Sequence, residues 1–353
     1  MARKGPSEPA ERLGTPNDDY AKAVFNVRRR AASLFSYKLG RTMSELIKWR
    51  TLRPAPTETV DESLGKRLSD LQFSARGHGG QARLQLVLEH QSKFDPMIPL
   101  RLMHHGMALW HTSLADGGVR SVPLIVSMVL HHGRWPWTTP LELWTLIEGG
   151  AEYLRQAPDM VPRWPIVIDD LAASTDADIR ARPQPPDVRL PLLALKRLRT
   201  DDPVRFVREE AALWRANPDD VRRETVSYAL RVNPGTDVRP LARALKAVLG
   251  REGETMAMTV GERLIRKGRE EGREEGREKG REEGREEGRE EGREEAVEQF
   301  REVLFRVMES KGVRVSRQTR KRIAECKDAA VLARWTTSLV TGKQPTSLFD
   351  ARR

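Results

Sequence analysis

Cysteine occurs once in the 353 residues, at Cys326. No internal disulfide can form, and the chain suits a reducing compartment such as the cytoplasm. Long hydrophobic runs are also missing. The longest, Val122 to Leu130, falls far short of the roughly 20 apolar residues that span a bilayer as a helix. The opening residues, MARKGPSEPAERLG, lack the apolar core a signal peptide needs. Glycine is plentiful, yet the repeated glycines from Gly268 onward lack the Lys-Ser/Thr ending of a phosphate-cradling loop, and no Gly-x-Ser-x-Gly elbow occurs. The adjacent pairs His104-His105 and His131-His132 have no cysteine close in sequence, and His104 and His111 are too far apart for the i, i+4 pair of a helical zinc site. They read as core or interface histidines. A disulfide scaffold, a membrane span, a P-loop enzyme and an elbow-type serine hydrolase are thereby excluded.

Charge is what the chain has in excess. Lys and Arg total 62 against 51 Asp and Glu, a formal +11 with pI near 10.0. A basic balance of this size favours a polyanionic partner, nucleic acid above all. Part of it is hidden. From Gly268 to Glu295, seven Arg and one Lys face thirteen Glu, a net of −5, which leaves +16 on the remainder.

The chain is organised around Leu68 to Ser92, LSDLQFSARGHGGQARLQLVLEHQS. Its period is two. Leu71, Phe73 and Ala75 share one side, Asp70, Gln72 and Ser74 the other. Arg76 to Gly80 is a glycine-rich hairpin connection. Beyond it Leu84, Leu86 and Leu88 share one face, and Val87, Glu89 and Gln91 the opposite one. Two such antiparallel strands bring Asp70, Glu89 and Gln91 to one surface. Carboxylate oxygens there suit a hard cation, Mg²⁺ or Mn²⁺.

An acid followed by Glu-x-Lys, in some members Glu-x-Gln, is the core of the PD-(D/E)xK nuclease superfamily. The words PTETVDESLGKRLSDLQFS, LVLEHQSKFDPMIPLRLM and VPLIVSMVLHHGRWPW resemble more specifically the bacterial recombination-promoting nuclease (Rpn) family, also described as transposase-like. The resemblance covers roughly residues 15 to 350. Asn17-Asp18 stands where that family often has a His-Asp pair, and Ser69, not Pro, precedes Asp70. The resemblance implies an α/β fold with an αβββαβ core, and a DNA endonuclease that promotes recombination in the bacterial cytoplasm, at the nucleoid. It implies that Asp70, Glu89 and the backbone carbonyl of His90 hold Mg²⁺ or Mn²⁺. Gln91 then occupies the usual lysine position, where a neutral amide orients water without offsetting phosphate charge. Lys93 or Arg101 is expected to supply that cation, or else to be a surface charge. Glu58 and Asp61 either add a carboxylate or are strand-edge charges, and Asp18 reads most simply as a helix N-cap. His78 and His90 flank the site as candidate acids or bases. A DNA-organising protein with a vestigial site is the alternative reading.

Taken in order, residues 1–16 read as a disordered leader, 17–160 as the nuclease-like core, 161–260 as a helical appendage, 261–295 as a charged repeat and 296–353 as a small helical end. Within the core, a helix is expected from Asp18-Asp19 to about Leu39, helical character over Ser44 to Trp49, and a short strand over Thr57 to Val60. The Pro96 helix should bury Leu100, Met103, Met107 and Trp110. Val122 to Leu130 reads as a strand covered on both sides, and Leu141 to Leu154 as a helix. From Pro158 to Leu249 the pattern is mainly helical. The Gly-Arg-Glu-Glu repeat is either a solvated helix or linker, or a coiled-coil-like surface for homo-oligomer formation. In the last segment Val297, Phe300, Leu304, Val307 and Met308 form an apolar stripe.

Overall fold

The structure, a computed structural model, describes residues 15–55, 60–61, 66–67, 71–78, 83–115 and 121–342. The chain divides into two compact units, Met1–Leu264 and Ile265–Arg353.

The first unit opens with three helices, α1 (Pro16–Phe25), α2 (Arg28–Lys38) and α3 (Gly40–Glu45). The expected single helix is broken at Asn26-Val27, where Val27 is extended. Its N-cap is Thr15, whose hydroxyl accepts the Asp18 N–H, with Pro16 opening the first turn. Asp18 is thereby released for another role. Strand β1 (Ile47–Pro54) follows, then the two-residue strands β2 (Val60–Asp61) and β3 (Lys66–Arg67), paired with each other. Ile47 to Pro54 corrects the helical reading around Ser44 to Trp49. Ile47 and Leu52 are buried in the core, and β1 lies at the sheet edge, where a terminal proline costs no ladder bond. Its register with its neighbour in the sheet, β4 (Leu71–Gly77), shifts between Lys48 and Arg53. There the Thr51 hydroxyl accepts the Arg76 N–H at 2.9 Å, replacing a ladder bond. Of the strand expected over Thr57 to Val60, only Val60 lies among the described residues.

β4 (Leu71–Gly77) and β5 (Arg83–Gln91) form the expected hairpin, with Leu71 opposite Leu88 and Arg76 opposite Arg83. After helix α4 (Ile98–Ala115) comes β6 (Leu124–His131), parallel to β5. Helix α5 (Gly150–Gln156) precedes β7 (Ile166–Asp170), parallel to β6. The sheet order is β1-β4-β5-β6-β7. β7 corrects the helical reading of this region: Ile166-Val167-Ile168 is a β-branched run, the side-chain type that packs best on a pleated surface. The helix expected over Leu141 to Leu154 is instead a 3₁₀ turn at Leu143–Leu146 followed by α5.

Alternation along β5 divides the two faces. Leu84, Leu86 and Leu88 join the larger core with Phe25, Leu34 and Phe35 of the first helices, and with the helices that follow β7. Val87 joins the smaller core with Ile98, Leu102 and Leu109 of α4. Each fully buried Leu, Ile or Phe contributes roughly 1.5–3 kcal/mol. The buried face of α4 matches the expected one only in part: Trp110 packs against the smaller core, but Leu100 and Met107 are 41% and 43% exposed, while His105 and Gly106 point inward. Both stripes of α4 are apolar at helical spacing. The choice is made by close fit, since a Cβ on Gly106 would come within 2.3 Å of the Trp164 ring.

His105 is fully buried, with no hydrogen-bond partner on either ring nitrogen. Burial, then the neighbouring His104, pushes its pKa down to about 4. The unfolded chain takes up this proton near pH 6.5; the folded chain resists until about 4. Stability is therefore expected to fall as pH drops from 6.5 toward 4, by at most about 1.4 kcal/mol per pH unit for this group. Denaturant melts of His105→Leu across that range should show a shallower decline than wild type.

Helices α6 (Asp176–Ala181), α7 (Pro186–Arg197), α8 (Pro203–Glu209), α9 (Ala211–Ala216), α10 (Asp219–Val232) and α11 (Val238–Leu249) complete the first unit together with the start of α12 (Arg251–Ser310). The rest of α12, with α13 (Arg317–Glu325) and α14 (Ala329–Val340), makes the second unit. Its core holds Val297, Leu304, Met308, Ile323, Leu332 and Leu339; Phe300, expected in the apolar stripe, is exposed.

The Gly-Arg-Glu-Glu run is helical throughout. Each glycine weakens a helix by about 1 kcal/mol relative to alanine, and a Cβ added at any of Gly268, Gly272, Gly276, Gly280, Gly284, Gly288 or Gly292 meets nothing within 4 Å. Alanine at all of them is expected to raise the helical circular-dichroism signal and its melting temperature. A lower signal would show that another surface closes on the glycine row.

Candidate active site

The candidate site lies at the C-terminal end of β5, on the face that packs against α4. Glu89 is on this face with Val87, and only 7% of it is exposed. One carboxylate oxygen, Oε1, accepts from the Gln91 amide at 2.8 Å and from the Arg101 guanidinium. Arg101 reaches it from the first turns of α4. The other side of the guanidinium donates to Asp95 Oδ2 at 2.6 Å. Asp95 also accepts the Met97 N–H at 2.9 Å on its other oxygen, at the start of α4. A single side chain thus fixes both the beginning of the helix and the arginine that the helix carries toward the sheet.

The sequence pattern points to Asp70, Glu89, His90, Gln91, Lys93 and Arg101 here. Glu89, Gln91 and Arg101 are brought together, and Lys93, just beyond the strand, is exposed. Asp70 lies outside the described residues, as do Glu58 and the side chain of Asp61. The described pairing begins at the next residue, Leu71, opposite Leu88. Asp95 escapes the sequence pattern. An Asp-Pro just before an apolar helix is its one local signal, and that signal does not reveal a partner six residues away.

His90 follows Glu89 in the strand, so its ring falls on the opposite face. There its Nε2 is 2.7 Å from Asp18 Oδ1. This contact, the leading influence, holds the Asp18 carboxyl below the usual range despite partial burial. Asp18 is therefore a hydrogen-bond partner of the strand's His90 rather than the N-cap expected from sequence. His132 lies beside His90, with ring centroids 5.7 Å apart. Burial, then the nearby His90, pushes its pKa down to about 3. The His90 imidazole does not share the Glu89 face.

The donor set bears on whether a divalent cation fits. Among the described residues, no three or more His, Cys, Asp or Glu side chains are grouped to hold a metal ion. Two oxygen-bearing side chains nevertheless lie on this face. Besides Glu89, Gln72 is buried, and its Oε1 has no hydrogen-bond partner. Gln72 pairs with Val87, two residues before Glu89. A buried carboxylate and an unpartnered amide oxygen fit a hard, oxygen-loving cation better than zinc.

No described helix is long and apolar enough to cross a membrane. No solved structure matches the chain closely enough to be counted as related. Among known proteins, it is 28% identical over 127 residues to the recombination-promoting nuclease RpnD of Escherichia coli O157:H7, covering 35% of this chain and 49% of the relative. It is 25% identical over 119 residues to the recombination-promoting nuclease RpnA of Escherichia coli K12, covering 34% and 40%. It is 28% identical over 120 residues to the inactive recombination-promoting nuclease-like protein RpnE of the same strain, again covering 34% and 40%. The chain thus spans about half or less of the length of these relatives. The family described as "Putative transposase, YhgA-like" matches residues 15–223, more than half of the sequence. Together with the distant recombination-promoting nucleases, this match places the chain in the YhgA-like transposase family.

Proposed function

We propose that the chain is a metal-dependent DNA endonuclease that hydrolyses phosphodiester bonds and promotes recombination, acting in the bacterial cytoplasm at the nucleoid. The observation that carries this reading is the buried Glu89 carboxylate, held by Gln91 and Arg101 at the end of a strand. The elements around it run helix, three antiparallel strands, helix and parallel strand. That order supports a PD-(D/E)xK-like αβββαβ core, extended by β7.

In this reading Glu89, Asp70 and the His90 backbone carbonyl would hold Mg²⁺ or Mn²⁺. When bound, the cation supplies water activation and charge neutralisation at the scissile phosphate. Gln91 keeps Glu89 in its rotamer and orients water through its amide. Arg101 neutralises Glu89 and is itself held by Asp95. Its guanidinium would supply beside the phosphate the charge that Gln91 lacks. Lys93 adds an exposed positive charge beside the strand end.

Supercoiled plasmid, with and without Mg²⁺ or Mn²⁺, tests the proposal. Nicking or linearisation that depends on the cation is the expected result. Binding should weaken steeply with salt, because phosphate contacts release counterions. A second reading is a DNA-organising protein with a vestigial site. It is favoured by the amide at the lysine position and by the similarity to the inactive RpnE. Salt-sensitive binding without cleavage under either cation would select it. Self-association through the Gly-Arg-Glu-Glu helix fits either reading and would appear as a dimer in sedimentation.

A further inference from the structure

The turn after β6, His131-His132-Gly133-Arg134-Trp135-Pro136-Trp137, is not used by the chemistry above. Its base is fixed at several points beside the strand that carries Glu89. His131 pairs with Gln91 in the β5–β6 ladder. The His132 N–H donates to the Gln91 carbonyl at 2.9 Å. Gly133 sits so close that a Cβ there would lie 2.5 Å from the His131 ring and 3.0 Å from the Ser92 carbonyl. His131 Nε2 donates to the Trp135 carbonyl at 2.9 Å, and the Trp137 N–H donates to Asp170 at 2.7 Å.

The tip is the reverse of the base. Trp135 is 71% exposed on this pinned turn. The Arg134 guanidinium lies 5.2 Å from the centre of its ring. Phe94, 50% exposed, packs edge-on against Trp137 at 5.2 Å, beside the exposed Lys93. A single exposed aromatic needs no explanation by itself. A tryptophan on a rigid support, with a cation on its ring and a second exposed aromatic nearby, has the composition of a base-stacking surface. Stacking tolerates any sequence, because every base has a π-face, and arginine adds cation–π attraction.

We propose that Trp135 stacks on an unpaired base of the DNA strand bound at the Glu89 site, with Arg134 and Lys93 on the flanking phosphates. This inference rests on the DNA reading above and adds to it a preference for strands with unstacked bases, such as single strands, ends and junctions. An intact duplex offers its bases only by their edges, so it gains nothing from an exposed ring at this position.

The test uses the full chain in EDTA, where no cleavage intervenes. Binding is measured to a mixed-sequence single strand, to a strand of the same length made of abasic nucleotides, and to a duplex. Wild type should prefer the base-bearing strand to the abasic one by about 10-fold. Trp135→Ala should remove that preference while leaving abasic-strand and duplex binding within about twofold, and Trp135→Phe should retain most of it. An unchanged melt for Trp135→Ala confirms that the fold is intact, as expected for an exposed side chain. Equal binding of base-bearing and abasic strands by wild type, an unchanged preference in Trp135→Ala, or no binding to any of the three overturns the proposal. The outcome is separate from that of the nuclease reading. A chain that stacks bases but never cleaves plasmid with Mg²⁺ or Mn²⁺ keeps this inference and loses the other.

Discussion

Glu89→Gln is expected to lower plasmid cleavage by at least about 100-fold while leaving DNA binding unchanged or tighter. The substitution keeps the shape of the side chain and removes only its charge. Arg101 retains Asp95 as a partner, so the local structure should hold. Altering groups that merely support metal ligands typically costs about 10–100-fold, and a ligand itself should lie at or beyond the upper end. Binding should not suffer, because one negative charge has left a phosphate-facing surface. Asp70→Ala should give the same separation of cleavage from binding. Gln91→Lys should preserve or raise cleavage, since it supplies a cation where the side chain now carries none. Wild-type cleavage by Glu89→Gln, assayed beside the parent protein, would remove the assigned site and leave the DNA-organising reading in front.

Arg182→Ala should produce the largest loss of stability. Asp169, at the end of β7, is fully buried. It accepts from Arg182 Nη1 at 2.7 Å and from Nη2 at 3.0 Å, while Lys38 is farther away at 3.7 Å. The guanidinium also lies over the Tyr37 ring, 4.9 Å from its centre. Removing it strands a buried carboxylate, which costs about 3–5 kcal/mol. At roughly 2–4 °C per kcal/mol for a unit of this size, the melting temperature should fall by roughly 6–20 °C. Arg182→Lys should lie between wild type and alanine, because an ammonium keeps the charge but cannot make the paired bonds. Leucine at both Asp169 and Arg182 should recover much of the loss, since no unpaired charge remains. A melting temperature for Arg182→Ala within a degree or two of wild type would show that Lys38 suffices.

Much of this protein is determined by local sequence. The period-two pattern of Leu71, Phe73 and Ala75 against Leu84, Leu86 and Leu88 suffices for the hairpin and for the face of each residue. A one-residue slip would turn every leucine to the other side. Alternation alone therefore puts Glu89 and Gln91 together on one face, and the apolar run ending at Leu130 marks β6 in the same way. Strand β7 is legible too, in Ile166-Val167-Ile168, but the helical pattern around it obscures a short run.

The tertiary structure decides whatever depends on distant partners. Two apolar stripes compete on α4, and only packing against Trp164 and the sheet selects the one with Leu102 and Leu109. That choice turns Arg101 onto Glu89, twelve residues earlier in the chain, and lets Asp95 hold it. Asp18 looks like a helix cap because its nearest neighbours are all that local sequence displays. In the fold Thr15 takes the cap and Asp18 meets His90, 72 residues away. Periodicity is a property of neighbours along the chain, so it can show which face a residue occupies. Which charge meets which across that face is decided by how the layers close.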